Sequence, residues 1–116
     1  MDLKTWLSIE ISGVEARLQG SGPTCQLDRQ GASPPTLKET EGRYFVLRRA
    51  ARLLELGQPL DPLAVEAEKA RAFLAADEGL ARNLAWAAYF QGVLDAVEAL
   101  RQRAAGAPVT HPPPTA

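Results

Sequence analysis

Residues 78–105 limit the possible folds of this chain more than any other segment, because they are helical in composition and apolar or small around most of the helix circumference. With 100° between successive residues, the bulky side chains fall on one face at the three-and-four spacing of a coiled-coil seam. This bulky seam consists of Trp86, Phe90, Val93, Val97 and Leu100. A helix with so narrow a polar strip has to be buried on several sides.

A second stripe of the same segment contains only small residues. This small-residue stripe consists of Ala81, Ala85, Ala88, Gly92, Ala96 and Ala99. Small side chains let a neighbouring helix lie very close, so the two stripes predict two different packing partners. A narrow strip remains for solvent, formed by Gln91, Asp95, Glu98 and Gln102.

Two interpretations of these surfaces stay open. In the first, this helix is the central helix of a four-helix bundle, and its partners come from the same chain. In the second, the other helices cover only part of it, and another subunit covers the rest. The other predicted helices carry few large aliphatic side chains, which favours an oligomer or a complex subunit with the bulky seam as its protein interface.

Apolar periodicity predicts two helices in the first half of the chain. The first spans about residues 3–18, with the helical face Leu3, Leu7, Ile11, Val14 and Leu18. Two features count against this helix: residues 5–11 alternate as in a strand, and Gly13 destabilises a helix interior. The apolar periodicity nevertheless favours the helix. The second helix spans about 41–56, and its apolar face is formed by Tyr44, Leu47, Ala51 and Leu54. Gly57 stands where a C′ glycine would end that helix.

A third helix begins at Asp61 and Pro62, where aspartate supplies an N-cap acceptor and proline takes the first helical position. The short connection from Gly57 makes the second and third helices an antiparallel hairpin. We expect a break near residue 77 before the fourth helix, and the alternative is one kinked rod over 62–105.

Together these elements predict an all-α fold, a small helical bundle of three to four helices with a long C-terminal helix. Residues 1–106 form a single helical domain that contains a long loop over 20–42, where glycines and prolines interrupt any regular period. Residues 107–116 contain four prolines and are expected to form a flexible tail.

Composition excludes several classes of protein. The formal net charge is −1, so the molecule as a whole does not attract nucleic acid or an anionic membrane. The single cysteine excludes an intramolecular disulfide within this sequence. Because Met1, Asp2, Leu3 and Lys4 do not resemble the start of a signal peptide and no stretch has the length of a membrane span without charges, we expect neither a signal peptide nor a membrane span. We therefore expect a cytoplasmic protein that does not bind a membrane.

The sequence offers no constellation for catalysis or for a cofactor. The only histidine, His111, lies in the proline-rich tail, and the only cysteine, Cys25, lies in the predicted loop. These two cannot form a cluster of nitrogen and sulfur ligands for a metal, and nucleophilic catalysis would need a rigidly held histidine. We expect no enzyme activity, no metal and no cofactor.

The second predicted helix carries the only basic patch of the chain, formed by Arg43, Phe45, Arg48, Arg49 and Arg52. Arginines beside an aromatic ring could hold phosphates and stack a base. The alternative is a solvated face whose arginines pair with Glu41 and Glu55. The whole sequence favours a non-enzymatic helical interaction or assembly module, a homo-oligomer or a subunit of a larger complex, with protein as its partner. A nucleic-acid-binding accessory subunit that uses the basic face is the alternative.

Overall fold

The computed structural model of the protein describes residues 2–20, 35–76 and 84–106, and these ranges form four helices without any strand. The helices are α1 (Leu3–Gly20), α2 (Pro35–Glu55), α3 (Pro62–Ala75) and α4 (Leu84–Ala104). The predicted all-α fold, a small helical bundle with a long C-terminal helix, is confirmed. Within the described ranges, no helix combines the length and the apolar character that a membrane span requires.

Helix α1 has the apolar face that its periodicity predicts. Leu7, Ile11 and Val14 are buried, and Trp6 is buried beside them. The helix begins with a side-chain cap, because Asp2 Oδ1 accepts a hydrogen bond from the Thr5 backbone N–H at 2.8 Å. The hydrogen bonds from Thr5 lower the pKa of the Asp2 carboxyl. The alternating pattern over 5–11 therefore does not produce a strand.

Helix α2 begins at Pro35, six residues before its predicted start at 41, so the predicted 20–42 loop is wrong over 35–42. Pro35 occupies the first helical position, where a proline loses no helical hydrogen bond. Leu37 and Lys38 in this first turn are buried, which accounts for the longer helix. The predicted loop is also wrong at Gly20, which ends α1. Residues 21–34 of that loop and the predicted tail at 107–116 lie outside the described residues.

The junction between α2 and α3 follows the predicted residues with one exception. Gly57 has a φ of 67°, and the Gln58 N–H donates to the Leu53 carbonyl at 2.9 Å, as in a Schellman motif. Pro62 opens α3 as predicted. The predicted side-chain cap at Asp61 is wrong, because this residue is helical (φ −52°, ψ −37°) and its side chain makes no capping hydrogen bond. Its backbone carbonyl accepts the Ala64 N–H at 3.0 Å instead.

Helix α3 ends well before α4 begins. Ala76 has an extended backbone (φ −82°, ψ 105°), which excludes a continuous rod over 62–105. The described part of the last helix starts at Leu84 and ends at Ala104. Its predicted first turn over 78–83 lies outside the described residues.

The helices pack with α2 and α4 at the centre. Their mutual contact is the most extensive in the molecule, α1 packs mainly on α2, and α3 packs mainly on α4. Helices α2 and α3 form the predicted hairpin, joined by an ion pair from Arg49 Nη1 to Glu66 Oε1 at 2.8 Å. The arms of this hairpin nevertheless share little packing, because α4 supplies the surface on which both rest.

Three of the four predicted α2 face residues are displaced from the centre of the core. Leu47 is buried, whereas Tyr44, Ala51 and Leu54 are half-buried. The deepest stripe of α2 is Val46, Ala50 and Leu53, one position away from the predicted one. This shift follows from the two large neighbours of α2, since α4 covers one side of the helix and α1 covers another.

Candidate interaction surfaces

The small-residue stripe of α4 faces α2, and the two backbones nearly touch there. A Cβ added to Gly92 would overlap the Glu39 backbone carbonyl, and one added to Gly42 would overlap the Tyr89 carbonyl. Because Gly42 and Gly92 have no side chains, α2 and α4 can approach closely at this crossing. The very close neighbour that the small-residue stripe predicts is therefore α2 of the same chain.

An ion-pair network closes one edge of this α2–α4 crossing. The Arg43 guanidinium lies between two carboxylates, with its Nη2 3.3 Å from Glu39 Oε1 and 3.5 Å from Asp95 Oδ2. Arg43 Nε is buried, so this side chain points into the helix contact rather than into solvent. Gln91 Nε2 donates to Asp95 Oδ1 at 3.0 Å and holds the carboxylate in place.

The rest of the predicted solvent strip of α4 forms hydrogen bonds within its own helix. Glu98 is exposed and accepts hydrogen bonds from Arg101 Nη2 at 2.7 Å and from Gln102 Nε2 at 3.3 Å. The hydrogen bond from Arg101 lowers the pKa of the Glu98 carboxyl. Glu98 therefore lies on the solvent strip, as expected, whereas Asp95 of the same strip takes part in the α2–α4 ion pair.

The bulky seam of α4 is covered mainly by this chain. Val93 and Leu100 have only 2% of their surface exposed and belong to the core. Phe90 and Val97 are half-buried against that core. Trp86 is the exception, since 43% of its surface is exposed. Of the predicted protein interface, the structure thus brings one large side chain to the surface and turns the other four toward the interior.

Trp86 belongs to an aromatic cluster where α4 passes α3, formed by Phe73, Trp86, Tyr89 and Phe90. The Phe73 and Phe90 ring centroids are 4.4 Å apart, and this ring pair is one part of the contact between the two helices. Trp86 meets Tyr89 edge to face, with the centroids 5.3 Å apart. Burial raises the pKa of the Tyr89 hydroxyl, and the charges of Glu41 and Glu66 raise it further.

Helix α2 supplies a lysine to the edge of this aromatic cluster. Lys38 Nζ lies 4.9 Å from the centroid of the Trp86 ring and 3.1 Å from Glu41 Oε2. The lysine is itself buried, so the cation–π contact and the ion pair hold it in one position. The indole ring of Trp86 therefore contacts both Tyr89 and Lys38, and part of the ring remains exposed to solvent.

The predicted basic patch divides into two parts. Phe45, Arg48, Arg49 and Arg52 lie together on the exposed side of α2, and we refer to them as the arginine face. Arg43 does not belong to it, because the α2–α4 ion pairs hold its side chain. Within the arginine face, Arg49 pairs with Glu66 and Arg52 pairs with Glu55 at 3.5 Å.

Arg48 differs from the other members of the arginine face. It is exposed, and in the described part of the chain it has neither an ion pair nor a side-chain hydrogen bond. Phe45, one turn away, has 38% of its surface exposed. The face therefore combines one unpaired arginine, two paired arginines and one accessible ring.

No group of three or more metal-ligating side chains occurs among residues 2–20, 35–76 and 84–106. His111 and Cys25 lie outside these ranges. Sequence reasoning missed two residues that organise the surfaces, Lys38 and Gly42. Pro35 was the available signal for both, because a helix that starts there places them on α2. Comparison of the chain with family models, with curated proteins and with solved structures finds no match.

Proposed function

We propose that this protein is a non-enzymatic helical interaction module, a homo-oligomer or a subunit of a larger complex, whose protein contact centres on Trp86. The observation that carries the proposal is the position of this tryptophan at the surface. Four of the five bulky seam residues turn toward the interior. Trp86, the largest of the five, has 43% of its surface exposed.

The surroundings of Trp86 support a binding role. Tryptophan is among the residue types that contribute most to protein interfaces, especially where neighbouring side chains hold the ring in one orientation. Lys38 and Tyr89 hold it here from two directions. Because the ring is positioned before binding, a partner would lose little side-chain entropy when it covers the indole.

Sedimentation equilibrium over a wide concentration range tests the homo-oligomeric form of this proposal. We expect the wild-type chain to self-associate and Trp86→Ala to lower the association constant at least tenfold. Ile9→Ala is the matched control, because Ile9 is a large apolar residue of α1 with 53% of its surface exposed and lies away from the aromatic cluster. A wild-type chain that stays monomeric at high concentration, or equal losses in both variants, would contradict it.

A second candidate function is nucleic-acid binding by the arginine face. The specific support is that Arg48 is unpaired among the described residues and lies near the partly exposed ring of Phe45. Such a face could contact phosphates and stack a base. The ion pairs of Arg49 and Arg52 act against this function, because each would have to open or share its charge.

Binding of single-stranded and double-stranded oligonucleotides at low and moderate salt tests this second function. Arg48→Glu combined with Arg52→Glu should abolish binding and its salt dependence. Arg43→Gln is the control within the same helix, since its side chain faces α4 and should leave affinity unchanged. Affinity that persists in the Arg48→Glu, Arg52→Glu variant would exclude the arginine face as the contact surface.

A further inference from the structure

We infer that the outer sides of α2 and α3 form the contact between two copies of this chain, with the arginine face of each copy against an acidic face on α3 of the other. The acidic face is an exposed strip at steps of four and three residues, and it consists of Asp61, Val65, Glu68, Ala72 and Ala75. The inference rests on the homo-oligomeric form of the proposed function and identifies the surface of the second copy.

The arginine face has the same spacing as the acidic face. Phe45, Arg48 and Arg52 follow one another on α2 at steps of three and four residues, and all three are exposed. This spacing is typical of helices that pack side by side. Each strip also contains a large apolar side chain, since 38% of the surface of Phe45 and 53% of the surface of Val65 are exposed. Both arms of the hairpin therefore present a strip suited to another helix.

The two faces carry opposite charges that are not yet paired. Arg48 is exposed and has no ion pair within the described ranges. Asp61 and Glu68 are exposed as well, and neither of them takes part in an ion pair with another described residue. A second copy can bring these charges together, because its acidic face supplies the carboxylates that the arginine face lacks.

Two cations border the acidic face without belonging to it. Lys69 Nζ lies 3.9 Å from Glu66 Oε1, on the side of α3 that faces α2. Arg71 lies on the side that faces α4, where its charge acts on Glu98. The acidic face itself therefore contains two carboxylates and no positive charge.

The register of the hairpin places the opposite charges at the same height. Arg49 and Glu66 face each other, with Nη1 and Oε1 2.8 Å apart. Arg48 comes one residue before Arg49, and Glu68 comes two residues after Glu66, so their heights differ by about 1.5 Å. A twofold axis parallel to the hairpin keeps these heights unchanged. Arg48 of each copy therefore meets Glu68 of the other.

A symmetric dimer requires a surface that is complementary to itself, and this hairpin carries both halves of the contact. A twofold rotation places an arginine face on an acidic face twice. A nucleic acid fits the same surface less well, because its phosphates follow one another without a gap. They would pass the carboxylates of Glu55 and Glu66 beside the arginine face and those of the acidic face on the other arm.

Trp86 lies at one end of this surface. Lys38, which contacts the indole ring, precedes Phe45 by about two helical turns and so lies on the same side of α2. On α3, Ala72 and Ala75 extend the acidic face away from the hairpin turn, toward the end at which α2 begins. The second copy can therefore cover Trp86 with small residues while the opposite charges meet nearer the turn.

Charge reversal in the full chain tests this contact by sedimentation equilibrium at low salt. Arg48→Glu and Glu68→Arg each bring like charges together twice in a symmetric dimer, so each should lower the dimer association constant about tenfold or more. Lys4→Glu is the control, because it reverses an exposed charge on α1 and should leave association unchanged. The urea midpoint should stay the same in all three variants, and association of the wild type should weaken as salt is raised.

Mixing the two charge variants shows whether the contact joins two copies. In a mixed dimer of Arg48→Glu and Glu68→Arg, opposite charges meet at both contacts, so an equimolar mixture should associate nearly as tightly as the wild type. A chain that carries both changes should likewise regain self-association. A mixture without a heterodimer, or a doubly changed chain as weak as the single variants, would overturn the inference. So would a wild-type chain that is monomeric at low salt.

Trp86→Ala separates this inference from the proposed function. Lost association in Trp86→Ala without a loss in either charge variant would overturn the inference and leave the proposed function standing. Loss and restoration in the charge variants without a loss in Trp86→Ala would support the inference and contradict a contact centred on Trp86. If Arg48→Glu lost oligonucleotide binding but dimerised like the wild type, the arginine face would serve nucleic acid and the inference would be overturned.

Discussion

The two sides of α4 are packed by different means. On the side of α2, backbone meets backbone, and Gly42 and Gly92 leave no room for even one additional methyl group. On the side of α3, the contact includes a pair of aromatic side chains, Phe73 and Phe90, whose ring centroids are 4.4 Å apart. A contact between backbones fixes the position of both helices, whereas a contact between side chains can adjust through their rotamers.

Trp86 lies where these two contacts meet. On the α2 side, which we call the rigid side, Gly92 and Ala96 of the small-residue stripe are buried, and Lys38 of α2 contacts the Trp86 ring. On the α3 side, which we call the adjustable side, the Phe90 ring contacts Phe73 and lies 6.4 Å from Trp86 between centroids. The proposed binding residue therefore contacts groups from both sides of α4.

The largest effect should come from adding a methyl group to the rigid side. Gly92→Ala should reduce the free energy of unfolding by about 3 kcal/mol, because the new Cβ meets the Glu39 backbone and not a flexible side chain. Urea denaturation measures this loss. Gly13→Ala in α1 is the matched control, since nothing lies within 4 Å of its Cβ position, and it should stabilise the chain by about 0.5–1 kcal/mol.

If Gly92→Ala and Gly13→Ala changed the free energy of unfolding by similar amounts, the α2 side of α4 would not be the rigid side. Gly42→Ala provides an independent check, because its Cβ would meet the Tyr89 backbone from the opposite helix. A loss in Gly92→Ala without a loss in Gly42→Ala would show that the crossing can shift in one direction.

A smaller loss should follow from changes on the adjustable side. Phe90→Ala should cost about 2–3 kcal/mol, since it removes a half-buried ring that contacts Phe73. Phe90→Leu should cost less than about 1.5 kcal/mol, because the remaining side chains can close around a smaller apolar group. Both values come from urea unfolding curves. If leucine were as damaging as alanine, the α3–α4 contact would be as rigid as the α2–α4 contact.

The ion pair between Arg43 and Asp95, at the edge of the rigid side, should contribute less to the free energy of unfolding than the Phe90 ring does. A double-mutant cycle with Arg43→Ala and Asp95→Ala should give a coupling energy of about 0.5–1 kcal/mol, since both side chains are three-quarters buried. Arg52 and Glu55 offer a control at the same 3.5 Å distance with about 70% of each side chain exposed. That pair should give a coupling below about 0.3 kcal/mol. Equal coupling in the two pairs would show that burial at the α2–α4 crossing adds nothing.

The smallest effect concerns the contact between α1 and α2 at high pH. Tyr44 donates its hydroxyl hydrogen to Glu15 Oε2 at 3.1 Å, and burial together with this hydrogen bond raises the Tyr44 pKa above its model-compound value of 10.0. A raised folded-state pKa contributes stability that is complete below the unfolded-state pKa and is lost as the pH rises through the folded-state pKa.

Stability should therefore fall as the pH is raised above about 10, and Tyr44→Phe should reduce that slope. Urea unfolding at several pH values between about 8 and 11 measures it. Part of the slope should remain in the variant, because the Tyr89 pKa is raised in the same direction. An unchanged slope in Tyr44→Phe would exclude the Glu15 hydrogen bond as a source of alkaline sensitivity.

The sequence predicted the helices where local signals and packing agree. The face of α1, the glycine that ends α2 and the proline that begins α3 each produce structure through their own backbone preferences. The start of α2 could not be predicted from Pro34 and Pro35 alone, because consecutive prolines are typical of loops, whereas Pro35 here begins a helix. The lack of a side-chain cap at Asp61 could not be predicted from the sequence, because it follows from the helical backbone conformation of this residue.

For the interaction surfaces, the two stripes of α4 could be derived from residue angles alone. The helices that pack on these stripes could not be derived in this way, because the other helices carry few large aliphatic residues that could cover α4. Gly42 resolves this, since a close backbone contact buries α4 without large side chains.

The crossing of Gly42 and Gly92 also determines when the chain can fold during synthesis. These residues are about fifty positions apart, and α1 and α3 each rest on a different one of the two central helices. A nascent chain that ends before Leu84 can bring α1 onto α2 but cannot complete the core. The core therefore closes only after α4 has left the ribosome, because α4 packs on both α2 and α3.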